Sequence, residues 1–214
     1  KQPGITEQKE KFFLFVDAFR YEMAMEYLDM LRKKGFKAAL IYTFTALPTL
    51  TATAKVKSSP VAIEINTASE IKDFTPSFKT GKQANIVNFR TELEEKGYQH
   101  SMKKGFDPEK SYWVEIGHID TLGHEEQAEM LKRTDELFDE ITEVIDEAAE
   151  NGIREIRIVT DHGWLMLPGG LPSSKIIKDL TVARCGRCAY IKEGVKTELT
   201  QLPWEWNPSV YIAY

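Results

Sequence analysis

Five acidic and imidazole side chains follow short apolar runs, where a folded chain can gather them for metal chemistry. Asp17 ends the run Phe12-Phe-Leu-Phe-Val16. Asp120 and His124 come after Tyr112-Trp-Val-Glu-Ile116, and Asp161 and His162 come directly after Ile156-Arg-Ile-Val-Thr160. Carboxylate oxygens and imidazole nitrogens are together the ligand set of a catalytic zinc-type site. A divalent ion held by Asp17, Asp161 and His162 would lower the pKa of a coordinated hydroxyl and polarise a phosphoryl oxygen. The hydroxyl could come from Pro48-Thr-Leu-Thr51. Residues 43 to 53 hold five threonines, so composition alone does not choose among them. If Thr51 opens a helix, the backbone amides there would also favour a phosphate.

Each motif has a plainer reading. Asp120-Thr-Leu-Gly-His124 fits a turn aspartate followed by a helix-starting histidine. Asp17 fits a turn residue, and Thr51 fits a helix N-cap. Asp161-His162 is harder to dismiss, because burying two polar side chains unpaired at a strand end is costly. The joint occurrence of these motifs carries the metal reading.

The elements that must position these residues are legible from periodicity. A strand is expected at 12–16 and a helix at 21–34, closed by Gly35 as its C-cap. A second strand is expected at 37–43. Pro48 then breaks the chain before a helix start at Thr49 or Thr51. Residues 57–84 read as a long loop with short elements, of the kind that often edges an active site. A helix over 84–96, a strand over 111–117 and a long amphipathic helix over 125–150 follow. Strand, helix and strand in repetition predict an α/β fold, with a mostly parallel sheet flanked by helices. In such sheets, sites gather at the carboxyl ends of the strands. The part after Leu180 reads as β-rich. With no linker or repeat, residues 1–214 read as a single domain.

Composition excludes some classes. A formal charge of −5 argues against general electrostatic attraction to nucleic acid. No run approaches the roughly 20 apolar residues of a membrane span. The polar start, Lys1 to Lys11, lacks a signal-peptide core, so a soluble, cytoplasmic protein is expected. Cys185 and Cys188 supply only half of a four-thiolate zinc site. A redox pair would usually open a helix after a strand, whereas the flanks here read as strands or a turn. The pair is therefore expected to be buried or incidental.

Four longer stretches are distinctive: Phe15-Val-Asp-Ala-Phe-Arg-Tyr-Glu22, Leu47-Pro-Thr-Leu-Thr-Ala52, Gly117-His-Ile-Asp-Thr-Leu-Gly-His-Glu-Glu126 and Ile158-Val-Thr-Asp-His-Gly-Trp-Leu-Met-Leu-Pro-Gly-Gly-Leu-Pro172. Gly186-Arg-Cys-Ala189 and Leu202-Pro-Trp-Glu-Trp-Asn-Pro208 join them. Together they resemble the PglZ family of the alkaline phosphatase superfamily, especially the proteins of the bacteriophage-defence systems called BREX, and the resemblance covers essentially the whole chain. It implies an alkaline-phosphatase-like core with two metal sites, usually zinc, bridging a nucleophile. Asp17, Thr51, Asp161 and His162 would hold one ion, and Asp120 and His124 the other with a further histidine. Thr51 rather than Thr49 is the implied nucleophile. Arg20 is a candidate to meet the phosphate.

Two departures from the family pattern matter. No histidine follows His162. The family carries one further on, so the chain is expected to lack a C-terminal segment and to complete only the first site by itself. His118 stands where an acidic residue is usual in the family; it could be a substitute ligand, and is read rather as a supporting or exposed histidine. His100 is read as part of a polar loop. The function implied is a metal-dependent phosphodiesterase or phosphatase of a phage-defence system, forming a covalent phospho- or nucleotidyl-threonine. Its substrate would be a phosphorylated small molecule or a nucleic acid, and its partners other defence proteins, with no membrane. The alternative is a catalytically inactive metal-binding or scaffold module of such a complex.

Overall fold

A computed structural model describes residues 11–116, 133–163, 178–185 and 188–214. In chain order the elements are β1 (Phe12–Val16), α1 (Tyr21–Lys33), α2 (Thr51–Lys57), α3 (Ile86–Glu95), β2 (Tyr98–His100), β3 (Ser111–Ile116), α4 (Thr134–Glu150) and β4 (Arg157–Val159). Then come β5 (Thr181–Arg184), β6 (Ala189–Ile191), β7 (Gln201–Trp204) and β8 (Asn207–Ala213). They fall into two compact units. One comprises Lys1–Phe44 and Leu93–Met166, the other Thr45–Glu92 and Leu167–Tyr214.

The first unit holds a four-stranded sheet in the order β2-β3-β1-β4, every pair parallel. β1 is central, and all five of its side chains are buried. A strand buried on both faces reads as a continuous apolar run rather than an alternation, which is what Phe12-Phe-Leu-Phe-Val16 shows. Phe12, Leu14 and Val16 pack with Tyr112, Val114 and Ile116 of β3 against Met23, Tyr27 and Leu31 of α1. Leu137, Phe138, Ile141, Val144, Ile145 and Ala148 of α4 close the same core. Their spacing is the single helical stripe expected of an amphipathic helix. On the opposite face Phe15 stacks on Trp113, ring centroids 5.5 Å apart. α1 ends where the chain reverses at Gly35, whose φ of +93° suits glycine. There Phe36 N–H donates to Leu31 O at 3.1 Å.

Two expectations are corrected here. Residues 37–43 form no strand and pair with no strand of the sheet. Apolar content alone does not supply a ladder partner, and Ile41 and Tyr42 are 70% and 81% exposed. Second, β2 lies where a loop was expected. It puts His100 at the end of a strand, with Nε2 2.9 Å from Glu94 Oε1 and Nδ1 2.7 Å from Ser101 Oγ. The long helix is described from Thr134, and 125–132 lie outside the described residues.

The second unit carries an antiparallel sheet in the order β5-β6-β8-β7, the β-rich part expected after Leu180. The 57–84 stretch holds a 3-10 turn at Ala62–Glu64 and two isolated bridges, Ile65–Phe78 and Ser77–Gln83. No helix among the described residues is long and apolar enough to cross a membrane.

Candidate metal centre

Register brings the first site together. Phe15 of β1 stands opposite Val159 of β4 in a parallel pair. Continuing both strands by two residues sets Asp17 beside Asp161, at the carboxyl ends where α/β sheets build sites. The chain leaves β1 through Ala18, a fully buried residue with φ of +54°. A non-glycine residue in the left-handed region costs roughly 1 kcal/mol and persists where its surroundings hold it. Here two hydrogen bonds tie the turn to the end of β4. Ala18 N–H donates to Asp161 Oδ1 at 3.4 Å, and Phe19 N–H donates to Thr160 Oγ1 at 3.0 Å. Thr160 Oγ1 in turn donates to His162 O at 3.1 Å. Thr160 and Ala18 are positioning residues that the sequence reading did not single out. A threonine immediately before Asp-His was the available signal.

Asp161 and His162 are 2% and 6% exposed, and Asp17 is half-buried. Asp161 Oδ1 accepts from His162 N–H at 2.9 Å, which fixes the carboxylate and leaves Oδ2 turned toward the imidazole. His162 Nδ1 lies 3.0 Å from Gly163 O. A carbonyl only accepts, so Nδ1 carries a proton, and Nε2 is the nitrogen available to a ligand. Nε2 is 3.7 Å from Asp161 Oδ2 and 3.8 Å from Asp17 Oδ1.

All three ligand atoms lie within 4.8 Å of one another, and the cluster could hold a metal ion. Zinc bonds of about 2.0–2.1 Å in tetrahedral array set ligand atoms roughly 3.3 Å apart. The two distances from Nε2 need to close by about half an ångström, and the Asp17–Asp161 pair, within 4.8 Å, by up to about 1.5 Å. Three protein ligands are also the usual complement of a catalytic zinc. Among the described residues no other group of three or more histidine, cysteine or acidic side chains has this geometry.

Arg20 caps the N-terminal end of α1 and pairs with Glu22, its Nε 3.3 Å from Glu22 Oε2. The hydrogen bond from Arg20 holds the Glu22 carboxyl below its ordinary pKa. A Cβ at Gly163 would meet Arg20 Cγ at 3.5 Å, so Arg20 lies alongside the Asp161-His162-Gly163 turn. Asp120, His124 and His118 lie outside the described residues. β3, the strand leading to them, is the other neighbour of β1.

In the second unit Thr51 is the first residue of α2, and Thr49 precedes the helix. The helix is held through Thr53, which is fully buried. Thr53 Oγ1 donates to Phe74 O at 2.7 Å, and Trp206 Nε1–H donates to Thr53 O at 2.9 Å. Trp204 Nε1–H reaches Thr53 Oγ1 at 3.4 Å. Lys57 Nζ meets Glu205 Oε1 at 2.6 Å. The segment Trp204-Glu-Trp206 thus anchors the helix that begins with Thr51, a role not visible in the sequence. No family model, curated protein or solved structure matches the chain.

Proposed function

We propose that the chain is a metal-dependent phosphoryl-transfer hydrolase, a phosphodiesterase or phosphatase on a PglZ-type, alkaline-phosphatase-like core, acting in bacterial phage defence. The observation that carries the reading is the convergence of Asp17 Oδ1, Asp161 Oδ2 and His162 Nε2 at the ends of adjacent parallel strands. The resemblance of the surrounding segments to that family supplies the rest. A divalent ion held there, zinc by the resemblance, would polarise a phosphoryl oxygen and favour the ionised form of a neighbouring hydroxyl.

The residues divide the work as follows. Asp17 and Asp161 contribute two negative charges that offset a dication, so an anionic phosphate is not repelled from the site. His162 adds a neutral nitrogen, aimed by the Gly163 carbonyl. Thr51 Oγ attacks phosphorus and the leaving oxygen departs, giving a phospho- or nucleotidyl-threonine that water then hydrolyses. By the resemblance, Asp120 and His124, with the family's further histidine, would hold a second ion, and Arg20 would meet the phosphate.

The test is hydrolysis of a chromogenic phosphodiester with added zinc or manganese, in a protein extended through that further histidine. Thr51→Ala and Asp161→Ala should each lower kcat at least about 100-fold, the scale of losing a nucleophile or a metal ligand. Activity surviving both substitutions would sink the assignment. Metal binding without hydrolysis in the unsubstituted protein would favour the scaffold reading instead.

A further inference from the structure

Cys185 and Cys188 have no part in the metal cluster, and they were expected to be buried or incidental. The structure brings them together. Cys185 stands directly after β5 and Cys188 directly before β6, just beyond the last paired rung of the hairpin, Arg184–Ala189. Cys185 N–H donates to Cys188 O at 2.9 Å, which holds the two residues opposite each other. Their Sγ atoms are 3.2 Å apart. Residues directly opposed in an antiparallel pair have Cα atoms about 4.5–5.5 Å apart. That falls inside the range of about 4.4–6.8 Å that a disulfide spans.

We propose that Cys185 and Cys188 are a modification site: a dithiol that closes reversibly to an intramolecular disulfide at the tip of the β5–β6 hairpin. Closure requires the sulfurs to approach by only about 1 Å, to the roughly 2.05 Å of an S–S bond. The geometry suits this better than a shared metal. Two thiolates on one tetrahedral zinc at about 2.3 Å stand roughly 3.8 Å apart. Among the described residues no third cysteine, histidine or carboxylate joins them at ligand spacing. The phenol of Tyr214 is buried beside the pair, and burial first, then the two cysteines, push its pKa well above the ordinary value.

Exposure assigns the order of events. Cys188 is 2% exposed, whereas Cys185 is partly open to solvent. The Cys185 thiolate attacks one sulfur of an external disulfide and releases the first thiol. The Cys188 thiolate then attacks Cys185 Sγ and expels the second. One external disulfide is reduced to two thiols, which carry away both protons, and the Cys185–Cys188 bond forms.

Oxidised and reduced glutathione are the probes. The chain is equilibrated at graded ratios, acid-quenched, alkylated and digested with trypsin. Cleavage at Arg184, Arg187 and Lys192 gives Cys185-Gly-Arg187 and Cys188-Ala-Tyr-Ile-Lys192. The two peptides should emerge covalently joined, in one two-electron transition. Cys188→Ser should stop at a stable glutathione adduct on Cys185. Cys185→Ser should take up glutathione at least about ten-fold more slowly, with circular dichroism confirming that both variants are folded. The proposal is overturned if both cysteines of the folded chain stay alkylatable at every ratio. It is equally overturned if the only disulfides join separate chains, or if one zinc per chain protects both thiols.

Discussion

Replacing Asp161 by asparagine should change stability with opposite signs in the absence and presence of metal. Asp161 Oδ1 accepts from Ala18 and His162 amides, and asparagine Oδ1 keeps both bonds. Oδ2 faces His162 Nε2 at 3.7 Å and lies within 4.8 Å of the chosen Asp17 oxygen. Two carboxylate charges 4.8 Å apart repel by ~3.5 kcal/mol at an effective dielectric of about 20. An asparagine Nδ2 in that place removes the repulsion and can donate to Asp17. In chelator, Asp161→Asn should therefore be at least as stable as the unsubstituted chain. A divalent ion at 100 times its Kd stabilises a chain that binds it by ~2.7 kcal/mol. At about 2–4 °C per kcal/mol for a chain of this size, that is a rise in Tm of roughly 5–11 °C. The unsubstituted chain should show this rise and Asp161→Asn should lose most of it, so the order of the two melting points inverts. Differential scanning fluorimetry in chelator and in zinc or manganese reads both arms. The reasoning is refuted if the variant melts well below the parent in chelator, or if metal raises both equally.

Two further predictions concern buried hydrogen bonds, one in each unit. Thr53→Val deprives Phe74 O of its donor and Trp204 Nε1–H of an acceptor in a fully buried position. It should cost ~1–3 kcal/mol in urea unfolding; a loss below about 0.5 kcal/mol would mean that α2 is anchored otherwise. Tyr27 donates to or accepts from Thr142 at 3.0 Å within the core. Burial pushes its pKa to about 12 from an ordinary 10.0, against a smaller lowering by the Thr142 hydrogen bond. A pKa raised on folding gives stability that is complete below the unfolded value and is lost as pH rises through the folded one. Unfolding followed from pH 9 to 12.5 should show a loss above about pH 10, on the order of 1–2 kcal/mol. Tyr27→Phe should flatten that slope.

How much of this was legible in the sequence depended on whether local pattern or tertiary pairing decided it. The five-residue apolar run of β1 and the apolar stripe of α4 announce buried elements without help, and both are present. The run at 37–43 carries the same kind of apolar signal and forms no strand, because apolar content alone does not supply a ladder partner. β2 was missed because three residues are too few for a period to register. For the site, residue types at strand ends named Asp17, Asp161 and His162. Their meeting rests on the Phe15–Val159 register, which no spacing along the chain encodes. Apart from the bare presence of a threonine before Asp-His, the Thr160 and Ala18 bonds that stitch the two turns together were equally invisible, as was the Cys185–Cys188 approach. Each depends on backbone geometry across elements 143, 141 or only 3 residues apart.

The most direct measurement of the central claim is anomalous diffraction at the zinc edge from crystals of the chain soaked in zinc. The expected result is a peak bounded by Asp17 Oδ1, Asp161 Oδ2 and His162 Nε2, filled before any site at Asp120 and His124, and absent in Asp161→Ala. A chain that takes no zinc at that cluster, or takes it first at Asp120 and His124, would contradict the reading of Asp17, Asp161 and His162 as a metal centre.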